Sequence, residues 1–456
     1  MKLIATTMAA LLALGSHCFA EAAPMPADPI QILSDRIERD GQGTGIAAAV
    51  VERGSPEFFS RGVLRVGTAV PASPQTVFGI GSVTKVFTSL LLAQMVLEGK
   101  MDLHAPVEDY LPERVEIGAF EGTPITLFDL ATHYSGLPRI PPELMFADPA
   151  NPYAVYTTDM LYDFLAAYPL QRRPGERFEY SNLGVALLGA AISHTTGVSN
   201  GELLRTRIFE PLGMTDTGLV DVDAARFASG HDPSGTVVPH WDFDVFAAAG
   251  GIRSTAADMA RFLAAASGQT ETPLREAFEL MLAERRPTDA PQMEIGLGWM
   301  IRSGEAGDIV WHNGMTAGFN AFAGYAADGR RASVVLANQI TQTGIEDIGF
   351  HLIDPDLKLT PQPQRRKAIE IDRTLLENYV GQYRLSPSFV LTVTTKDGKL
   401  FVEATGQEQF EVFPETETKF FYSVVDAQIS FELGADGKAT GLVLHQNGQN
   451  VPGERL

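Results

Sequence analysis

Runs of apolar residues divide the chain into a mixed helix-and-strand portion and a later portion rich in strands. Residues 45–53 form a short, almost wholly apolar run that predicts a buried strand. Residues 86–97 are apolar on nearly every side, which predicts a buried helix. Two more helices are expected over 126–132 and 255–266, because each opens on a Thr with an Asp three residues later. Residues 309–337 predict two or three strands with a tight turn.

The composition of the chain changes near residue 358. Residues 358–368 are rich in Pro, Gln and basic residues, and this composition predicts a linker. Beyond the linker, short strand-like runs recur about every ten residues, which is typical of a small barrel or sandwich. We therefore expect a main domain over 24–357 and a β domain over 369–456.

Length and charge limit the kinds of function to consider. At 456 residues, the chain is long enough for two or three domains, and 45% hydrophobic residues supply an ample core. The net charge of −21 argues against nucleic-acid binding, because an acidic surface repels phosphate backbones. No apolar run reaches the roughly 18 residues that a membrane span needs, so none is expected.

The first residues have the composition of an export signal. Residues 1–20 combine Lys2 with an apolar run and then small residues, with plausible cleavage after Ala20 or Ala22. We therefore expect a secreted or periplasmic protein. The only cysteine, Cys18, lies inside this segment, so the mature chain would have no disulfide, thiol nucleophile or zinc-thiolate site.

The sharpest chemical feature is the tetrapeptide SVTK at 82–85. Residues i and i+3 share a helix face, so the Lys85 amine is expected beside the Ser82 hydroxyl. A serine hydroxyl is a weak nucleophile that needs a base, and a lysine becomes one when burial or nearby cations lower its pKa. Between residues 3 and 357 the chain has 21 arginines but only two lysines, Lys85 and Lys100. We predict that Ser82 is a nucleophile and Lys85 its base.

A second motif, Tyr180-Ser181-Asn182, follows a Pro-Gly turn. A phenol close to a lysine amine can exchange a proton with it, so Tyr180 is a candidate catalytic proton shuttle. Asn182 offers a donor and an acceptor for a substrate amide, so we predict that it binds substrate. Taken alone, this motif equally fits a strand end followed by a helix cap.

A third motif, His312-Asn313-Gly314, is expected at the end of a strand. The glycine would let a substrate lie against the strand edge, and we predict all three residues as substrate-binding. The backbone N–H groups of Ser82 and Met315 would then form an oxyanion hole. Taken alone, His312 also fits a structural histidine in a strand, although the substrate-binding interpretation is favoured.

The ordered set of motifs resembles the penicillin-recognising serine hydrolases, which include DD-peptidases, class C β-lactamases, D-aminopeptidases and related esterases. In that family a Ser-x-x-Lys motif precedes Tyr-x-Asn and then a basic-x-Gly triplet. The resemblance covers roughly residues 35–345 and includes DLATHYSGLP at 129–138, which we interpret as scaffold. It implies an α+β fold, with an antiparallel sheet flanked by helices beside a helical subdomain. Residues 369–456 resemble, more weakly, the lipocalin-like barrel of some members, which implies a small all-β barrel.

The resemblance implies an enzyme that acts through an acyl-serine intermediate, with no cofactor and no metal. Class C β-lactamases have Lys-Thr-Gly as the third triplet, whereas this chain has no lysine between 101 and 357. Its histidine triplet looks more like that of DD-peptidases and D-aminopeptidases. We expect a DD-carboxypeptidase or D-aminopeptidase-type peptidase, with a β-lactamase or a carboxylesterase as the alternatives. With an ordinary His312 pKa near 6.5, binding of a carboxylate substrate should weaken as the pH rises through that value.

Other classes of protein fit the sequence less well. An α/β-hydrolase would need a Gly-x-Ser-x-Gly motif, which the chain lacks. The best metal candidate, His231 and His240 near Asp242 and Asp244, is better explained as a polar loop at a pocket rim. A non-catalytic penicillin-binding sensor would be expected to lack one of the three predicted catalytic residues. The expected partner is a small peptide, β-lactam or ester, and the oligomeric state stays open.

Overall fold

The computed structural model describes residues 28–146, 148, 150–220, 222–341, 343–362, 368–387, 389–405, 409–422, 427–446 and 449–456. The predicted signal peptide lies outside these residues. No helix in the described part of the chain combines the length and apolar character needed to cross a bilayer.

An eight-stranded antiparallel sheet forms the centre of the first portion. Its strand order is β2-β1-β12-β11-β10-β9-β8-β7, and two short pairs, β3-β6 and β4-β5, lie outside it. The strands are β1 (Gly45–Glu52), β2 (Ser55–Gly62), β3 (Val77–Gly79), β4 (Gly230–His231), β5 (Val237–Val238), β6 (Arg253–Thr255), β7 (Arg286–Pro287), β8 (Met293–Ile295), β9 (Met300–Arg302), β10 (Ile309–Thr316), β11 (Phe319–Ala326) and β12 (Ala332–Ala337).

Helices cover the sheet and build the subdomain beside it. They are α1 (Pro29–Ser34), α2 (Thr84–Leu97), α3 (Leu127–Ala131), α4 (Thr158–Ala167), α5 (Asn182–Thr196), α6 (Asn200–Leu204), α7 (Ala247–Gly250), α8 (Ala256–Ala266), α9 (Arg275–Ala283) and α10 (Glu346–Ile353). Short π-helical turns extend α1 and α6, at Asp35–Arg39 and Arg205–Phe209. The predicted α+β fold, a helix-flanked antiparallel sheet with a helical subdomain, is confirmed.

The alternation of side chains along β1 explains why helices lie on both faces of the sheet. Ala47, Ala49 and Val51 point into the larger core, which includes residues of α2, α5 and α8. Ile46 and Val50 point into a smaller core, which includes residues of α1 and α10. Because β1 is buried on both faces, its sequence is continuously apolar instead of alternating.

The predicted helices and strands are found close to their expected positions. The buried helix α2 begins at Thr84, two residues before the apolar run, and most of its side chains are buried. The Thr at the start of α3 forms the capping box with Asp129, and Thr255 accepts a hydrogen bond at the start of α8. Residues 309–337 contain the three strands β10, β11 and β12.

The C-terminal portion is a closed eight-stranded antiparallel barrel, which confirms the predicted small all-β barrel. Alternate residues point inward and form a third core, in which Tyr379 and Phe431 stack with ring centroids 4.5 Å apart. The assignment of the boundary to residues 358–368, and the lipocalin resemblance, stay predictions. The strands are β13 (Gly381–Ser386), β14 (Phe389–Lys396), β15 (Lys399–Ala404), β16 (Gln409–Pro414), β17 (Lys419–Tyr422), β18 (Ala427–Leu433), β19 (Ala439–Gln446) and β20 (Gln449–Arg455).

Strand register decides which residues of β10 face the helical subdomain. His312 pairs with Ala323, which pairs with Val334, which in turn pairs with Ala49. Ala49, Ala323 and Val334 belong to the larger core, so His312 faces the side of the sheet where α2 lies. Gly314, two residues on, shares this face.

Candidate active site

Ser82 lies on a tight turn between β3 and α2. A 3₁₀ turn over Gly81–Val83 leads directly into the helix, whose first residue is Thr84. The hydroxyl of Thr84 accepts a hydrogen bond from the backbone N–H of Ile252 at 3.1 Å, and Ile80 N–H donates to the Ile252 carbonyl at 3.0 Å. These bonds on both sides of Ser82 fix the turn against the segment that precedes β6.

Lys85 lies one helical turn after Ser82, as the spacing of the two residues predicted. Its amine Nζ is 3.0 Å from Ser82 Oγ and donates a second hydrogen bond to the Ala249 carbonyl at 2.7 Å. The side chain is only 1% exposed. Burial holds the pKa of Lys85 well below its ordinary value, and the positive charge of Arg139 lowers it further. The amine is therefore disposed to be neutral and to accept a proton.

Tyr180 stands beside both members of this pair. Its ring centroid is 5.1 Å from Lys85 Nζ and 5.0 Å from the guanidinium carbon of Arg139. Burial raises the pKa of Tyr180 to about 12, although a hydrogen bond with Ser82 and the charge of Arg139 both oppose the rise. Tyr180 is thus a protonated phenol at neutral pH, in contact with the nucleophile.

His133 positions Tyr180 from both sides along the chain. The carbonyl of His133 accepts from the N–H of Glu179 at 2.8 Å, and its Nδ1 accepts from the N–H of Ser181 at 3.2 Å. Its ring lies against Tyr180 with centroids 4.2 Å apart. Burial, first, and then the nearby Lys85 hold the pKa of His133 well below its ordinary value. The sequence analysis interpreted the segment containing His133 as scaffold and so missed this contact.

Asn182 is the first residue of α5, and Ser181 is the N-cap that fixes it. The Ser181 hydroxyl accepts from Gly184 N–H at 2.8 Å and donates to the Pro138 carbonyl at 2.7 Å. The Asn182 side chain hydrogen-bonds Tyr153, and its Oδ1 is buried without a protein partner. Its amide lines the same pocket as Ser82. The structure therefore brings Asn182 to the predicted nucleophile.

His312 is buried on the same face of the sheet, with its ring centroid 6.4 Å from that of Tyr180. Its Nδ1 donates to the Asn313 carbonyl at 2.5 Å, so Nε2 carries a lone pair, and Nε2 is buried without a partner. Burial and the nearby Lys85 lower the pKa of His312 to about 3, against a small opposite effect of the Asn313 bond. The expected titration near 6.5 is therefore wrong, because it assumed a solvated ring.

Gly314 lets β10 lie directly against the turn that bears Ser82. A Cβ at position 314 would stand 1.9 Å from the Ile80 carbonyl oxygen and 3.0 Å from Ser82 N, both backbone atoms. Gly81, at φ +49°, also packs closely, because a Cβ there would stand 2.7 Å from Met315 N. The two glycines thus bring the backbone of Met315 next to that of Ser82.

The hairpin between β10 and β11 leaves the N–H of Met315 unused by the sheet. Thr316 pairs with Phe319 across a two-residue loop, which makes that pair the hydrogen-bonded one. The next pair, Met315 with Asn320, is then a non-hydrogen-bonded pair, whose N–H groups point away from each other. The Met315 N–H is therefore directed to the free edge of β10, beyond the end of β9.

The structure does not bring the Asn313 side chain to the Ser82 side of the sheet. Asn313 alternates with His312 and Gly314, and its amide donates to Glu346 of α10 at 2.5 Å. Glu346 also accepts from the N–H of Ile345 at 2.9 Å. The side chain of Asn313 therefore ties the triplet to α10, and the substrate-binding role of this residue stays a prediction.

An aromatic wall completes the pocket around Ser82. Its members pack on one another, with Tyr153 5.3 Å from Phe243 and 5.0 Å from Phe246, measured between ring centroids. The pocket has an empty volume of about 280 Å³, and Trp241, Ala249, Gly250 and Met315 also line it. A polar loop is predicted near residue 240, whereas three of the six residues 241–246 are aromatic and line this pocket.

The two histidines considered as metal ligands make other contacts. The Nδ1 of His231 hydrogen-bonds the Asn338 carbonyl at 2.7 Å, and its Nε2 accepts from Val66 N–H at 3.2 Å. The ring of His240 stacks on Phe227 with centroids 4.1 Å apart. Within the described ranges, no three His, Cys, Asp or Glu side chains are grouped so that they would hold a metal ion.

Comparison with known families agrees with this geometry. Residues 32–353 match the family described as Beta-lactamase. The chain belongs to the Beta-lactamase family. Its relatives include a D-alanyl-D-alanine-carboxypeptidase/endopeptidase and proteins named Beta-lactamase, and the chain is accordingly a serine hydrolase. Residues 365–455 match a second description, "Domain of unknown function (DUF3471)".

Individual members of the Beta-lactamase family cover the chain to different extents. Penicillin-binding protein 4* of Bacillus subtilis is 27% identical over 405 residues, which are 83% of this chain and 87% of that protein. The D-alanyl-D-alanine-carboxypeptidase/endopeptidase AmpH of Escherichia coli is 33% identical over 190 residues, 42% of this chain and 49% of AmpH. A solved structure, the octameric penicillin-binding protein homologue from Pyrococcus abyssi, superposes with a TM-score of 0.62 at 24% identity. It covers 92% of this chain and 98% of that one, and shows a shared fold.

Proposed function

We propose that the chain is an exported DD-carboxypeptidase or D-aminopeptidase-type enzyme that cleaves D-amino-acid peptides through an acyl-serine intermediate. The observation that carries the mechanism is the 3.0 Å contact between Ser82 Oγ and the Lys85 amine in a buried site. Burial turns that amine into a base, which is what a serine nucleophile lacks.

In the proposed acylation step, Ser82 Oγ attacks the substrate carbonyl carbon and gives its proton to the Lys85 amine. The hydrogen bond from Lys85 to the Ala249 carbonyl leaves the nitrogen lone pair available for that proton. The backbone N–H groups of Ser82 and Met315 stabilise the oxyanion, and the close packing at Gly81 and Gly314 supports this pairing.

The leaving amine then takes a proton as its bond to the carbonyl carbon breaks. Tyr180, a phenol with a pKa of about 12, remains protonated and contacts Ser82, so it relays the proton from Lys85 to the leaving nitrogen. A water molecule next gives a proton to the same base and adds to the acyl carbon. Collapse of that adduct breaks the bond between the acyl carbon and Ser82 Oγ and releases the acid, and the Lys85 amine returns its proton to Oγ to restore the hydroxyl.

The third triplet supports a peptidase over a β-lactamase. His312, at a pKa of about 3, is a neutral ring with a free Nε2 lone pair instead of a lasting positive charge. This acceptor is suited to an N–H of the substrate. The similarity to the carboxypeptidase AmpH supports the same choice. A relative named Beta-lactamase from Escherichia coli is 30% identical over 303 residues, so β-lactam hydrolysis must be tested as the alternative.

Purified protein should first be incubated with a labelled penicillin or fluorophosphonate, then assayed with four substrates. These are a D-Ala-D-Ala peptide, a D-aminoacyl anilide, a chromogenic cephalosporin and a nitrophenyl ester. We expect the label on Ser82, none in Ser82→Ala, and higher turnover of the D-peptide or anilide than of the cephalosporin. Equal labelling of Ser82→Ala would refute the nucleophile. Faster turnover of the cephalosporin than of both D-amino-acid substrates would refute the peptidase assignment.

Export rests on the composition of residues 1–20 alone. Its test is the N-terminal sequence of the protein recovered from its native cells, with fractionation of the cells. A mature start after Ala20 or Ala22 outside the cytoplasm is expected. A chain that begins at Met1 in the cytoplasm would contradict it.

A further inference from the structure

Arg139 is a cation without an acidic partner beside the nucleophile. Its side chain is exposed, and it forms no ion pair with any of the residues that the structure describes. Nearby arginines differ in this respect, because Arg172 and Arg177 pair with Glu179, and Arg173 pairs with Glu121. An arginine guanidinium stays charged at any working pH.

The backbone of the chain fixes Arg139 to the Tyr180 motif. The Arg139 carbonyl accepts from the N–H groups of Asn182 and Leu183 at 2.9 and 3.2 Å. The preceding residue, Pro138, accepts from the Ser181 hydroxyl at 2.7 Å. Three hydrogen bonds therefore hold the residue at the N-terminus of α5, with its guanidinium carbon 5.0 Å from the Tyr180 ring centroid. The position of Arg139 is therefore fixed by its attachment to α5 and not only by the loop that contains it.

The other basic groups close to the Tyr180 ring are buried. Burial disfavours the charged forms of Lys85, His133 and His312, so these groups are disposed to be neutral. Among the described residues, no carboxylate contributes to the pKa shifts of these three groups or of Tyr180. In a protein of net charge −21, Arg139 is thus an exposed cation over the Tyr180 ring, with no ion pair to any residue that the structure describes.

We propose that Arg139 binds a carboxylate of the substrate and thereby sets the specificity of the site for acidic D-peptides. The guanidinium forms a charge-assisted, fork-shaped pair with a carboxylate, which a lysine or a neutral side chain cannot reproduce. The proposal rests on the proposed peptidase function. The carboxylate belongs either to the leaving D-amino acid or to the acyl part of the peptide, and the test separates the two.

The test measures binding without turnover, in Ser82→Ala protein, by calorimetry. Three peptides are compared: N-acetyl-D-Ala-D-Ala, its C-terminal amide, and the same amide with N-succinyl in place of N-acetyl. They carry a carboxylate on the leaving residue, no carboxylate, and a carboxylate on the acyl side. We expect Arg139→Gln to raise the Kd of one of the two acidic peptides by about tenfold or more, as for loss of a charged hydrogen bond. The neutral amide should bind Arg139→Gln as it binds the parent.

Arg114→Gln is the matched control, because Arg114 also lies over a tyrosine ring, that of Tyr162, but pairs with Asp159 outside the pocket. It should bind all three peptides like the parent. The acidic peptide that loses affinity in Arg139→Gln identifies the source of the carboxylate. Equal affinities of Arg139→Gln and the parent for both acidic peptides would overturn the proposal, as would an equal loss with the neutral amide.

A failure of the proposed function would look different from a failure of this proposal. If the wild-type enzyme acylates no substrate on Ser82, the peptidase function fails, yet the binding comparison still reports on Arg139. If acylation occurs, kcat and KM for the same peptides give a second readout. Loss of Arg139 also raises the pKa of Lys85 for every substrate, so the ratio of acidic to neutral kcat/KM is the quantity to compare.

Discussion

The Lys85 amine lies 3.0 Å from the Ser82 hydroxyl oxygen, at the start of a helix whose first turn is buried. A cation there would oppose the helix dipole and lose its hydration, so both effects favour the neutral amine. The second bond of Lys85, to the Ala249 carbonyl, fixes the direction of the side chain. The pair is thus a nucleophile and a base instead of a surface ion contact.

Lys85→Arg should be nearly as damaging as Lys85→Ala. Arginine keeps the charge but does not release its proton at working pH, so it cannot serve as the base. We expect kcat/KM to fall by about 10³-fold, within the range of general-base catalysis, in a steady-state ester assay. Lys100→Arg is the control, since Lys100 is half-exposed and pairs with Glu98 on the surface.

Near-normal turnover of Lys85→Arg would remove the general-base role and leave Lys85 as a structural cation. Thermal unfolding of each variant separates lost chemistry from lost folding. In the wild type, kcat/KM should rise with pH through the lowered pKa of Lys85, because the proton must leave the amine before Ser82 can give its own. A rate that falls with pH over the same range would contradict this order.

Local spacing was enough to predict much of the fold and the reacting pair. Because residues i and i+3 share a helix face, Lys85 was predicted beside Ser82, where the structure has it. The apolar run predicted α2 to within two residues of its start. The period of two in a strand also determines that the Asn313 side chain points to the opposite face of the sheet from His312. The strand pattern of the last ninety residues likewise predicted a small barrel or sandwich, and the structure has a closed barrel.

The rest of the site depends on contacts between residues distant in sequence. His133 and Arg139 lie beside Tyr180 only because hydrogen bonds attach the segment 133–139 to the N-terminus of α5. The aromatic wall joins Tyr153 to the segment 241–246 in the same way. The pKa of His312 follows from burial in the finished fold, which a sequence motif does not contain.

His312 should not titrate during catalysis. Burial and Lys85 disfavour its charged form and lower its pKa to about 3, so the ring stays neutral as the pH rises from 5 to 9. The acidic and neutral D-peptides should therefore show the same rising limb of kcat/KM against pH, which Lys85 sets. An extra loss of activity with the acidic peptide alone, centred between pH 6 and 7, would mean that His312 is charged below that range.

Gly314→Ala should disable the site without touching a catalytic side chain. The new Cβ would meet the Ile80 carbonyl oxygen at 1.9 Å, so β10 and the turn of Ser82 must separate. A displacement of about 1 Å at a reacting group costs on the order of 10²-fold in rate, and we expect fluorophosphonate labelling to slow by that factor. Gly118→Ala, where a Cβ meets its nearest neighbour at an ordinary 3.4 Å, should label like the wild type. Equal labelling rates in the two variants would contradict the close approach.

Hydrogen bonds attach the chain to the hydrolase portion and to the barrel on either side of the boundary between them. Thr360 N–H donates to Asp347 at 2.9 Å, and the Thr343 hydroxyl donates to Gln362 at 2.5 Å, so the chain is bonded to the hydrolase portion up to residue 362. The N–H of Ile369 donates to Pro414, within the barrel portion, at 2.9 Å. The six residues 363–368 connect these attachment points.

Trypsin should therefore cut first within 363–368, which contains Arg365, Arg366 and Lys367. We expect two stable fragments, because the hydrolase portion and the barrel have separate apolar cores, and the larger fragment should still label at Ser82. Mass spectrometry gives the cleavage site and the label together. A variant with all three basic residues changed to Gln should resist this first cut while its labelling is unchanged. First cuts elsewhere in the wild type, or a larger fragment that no longer labels, would indicate that the two portions form one folding unit.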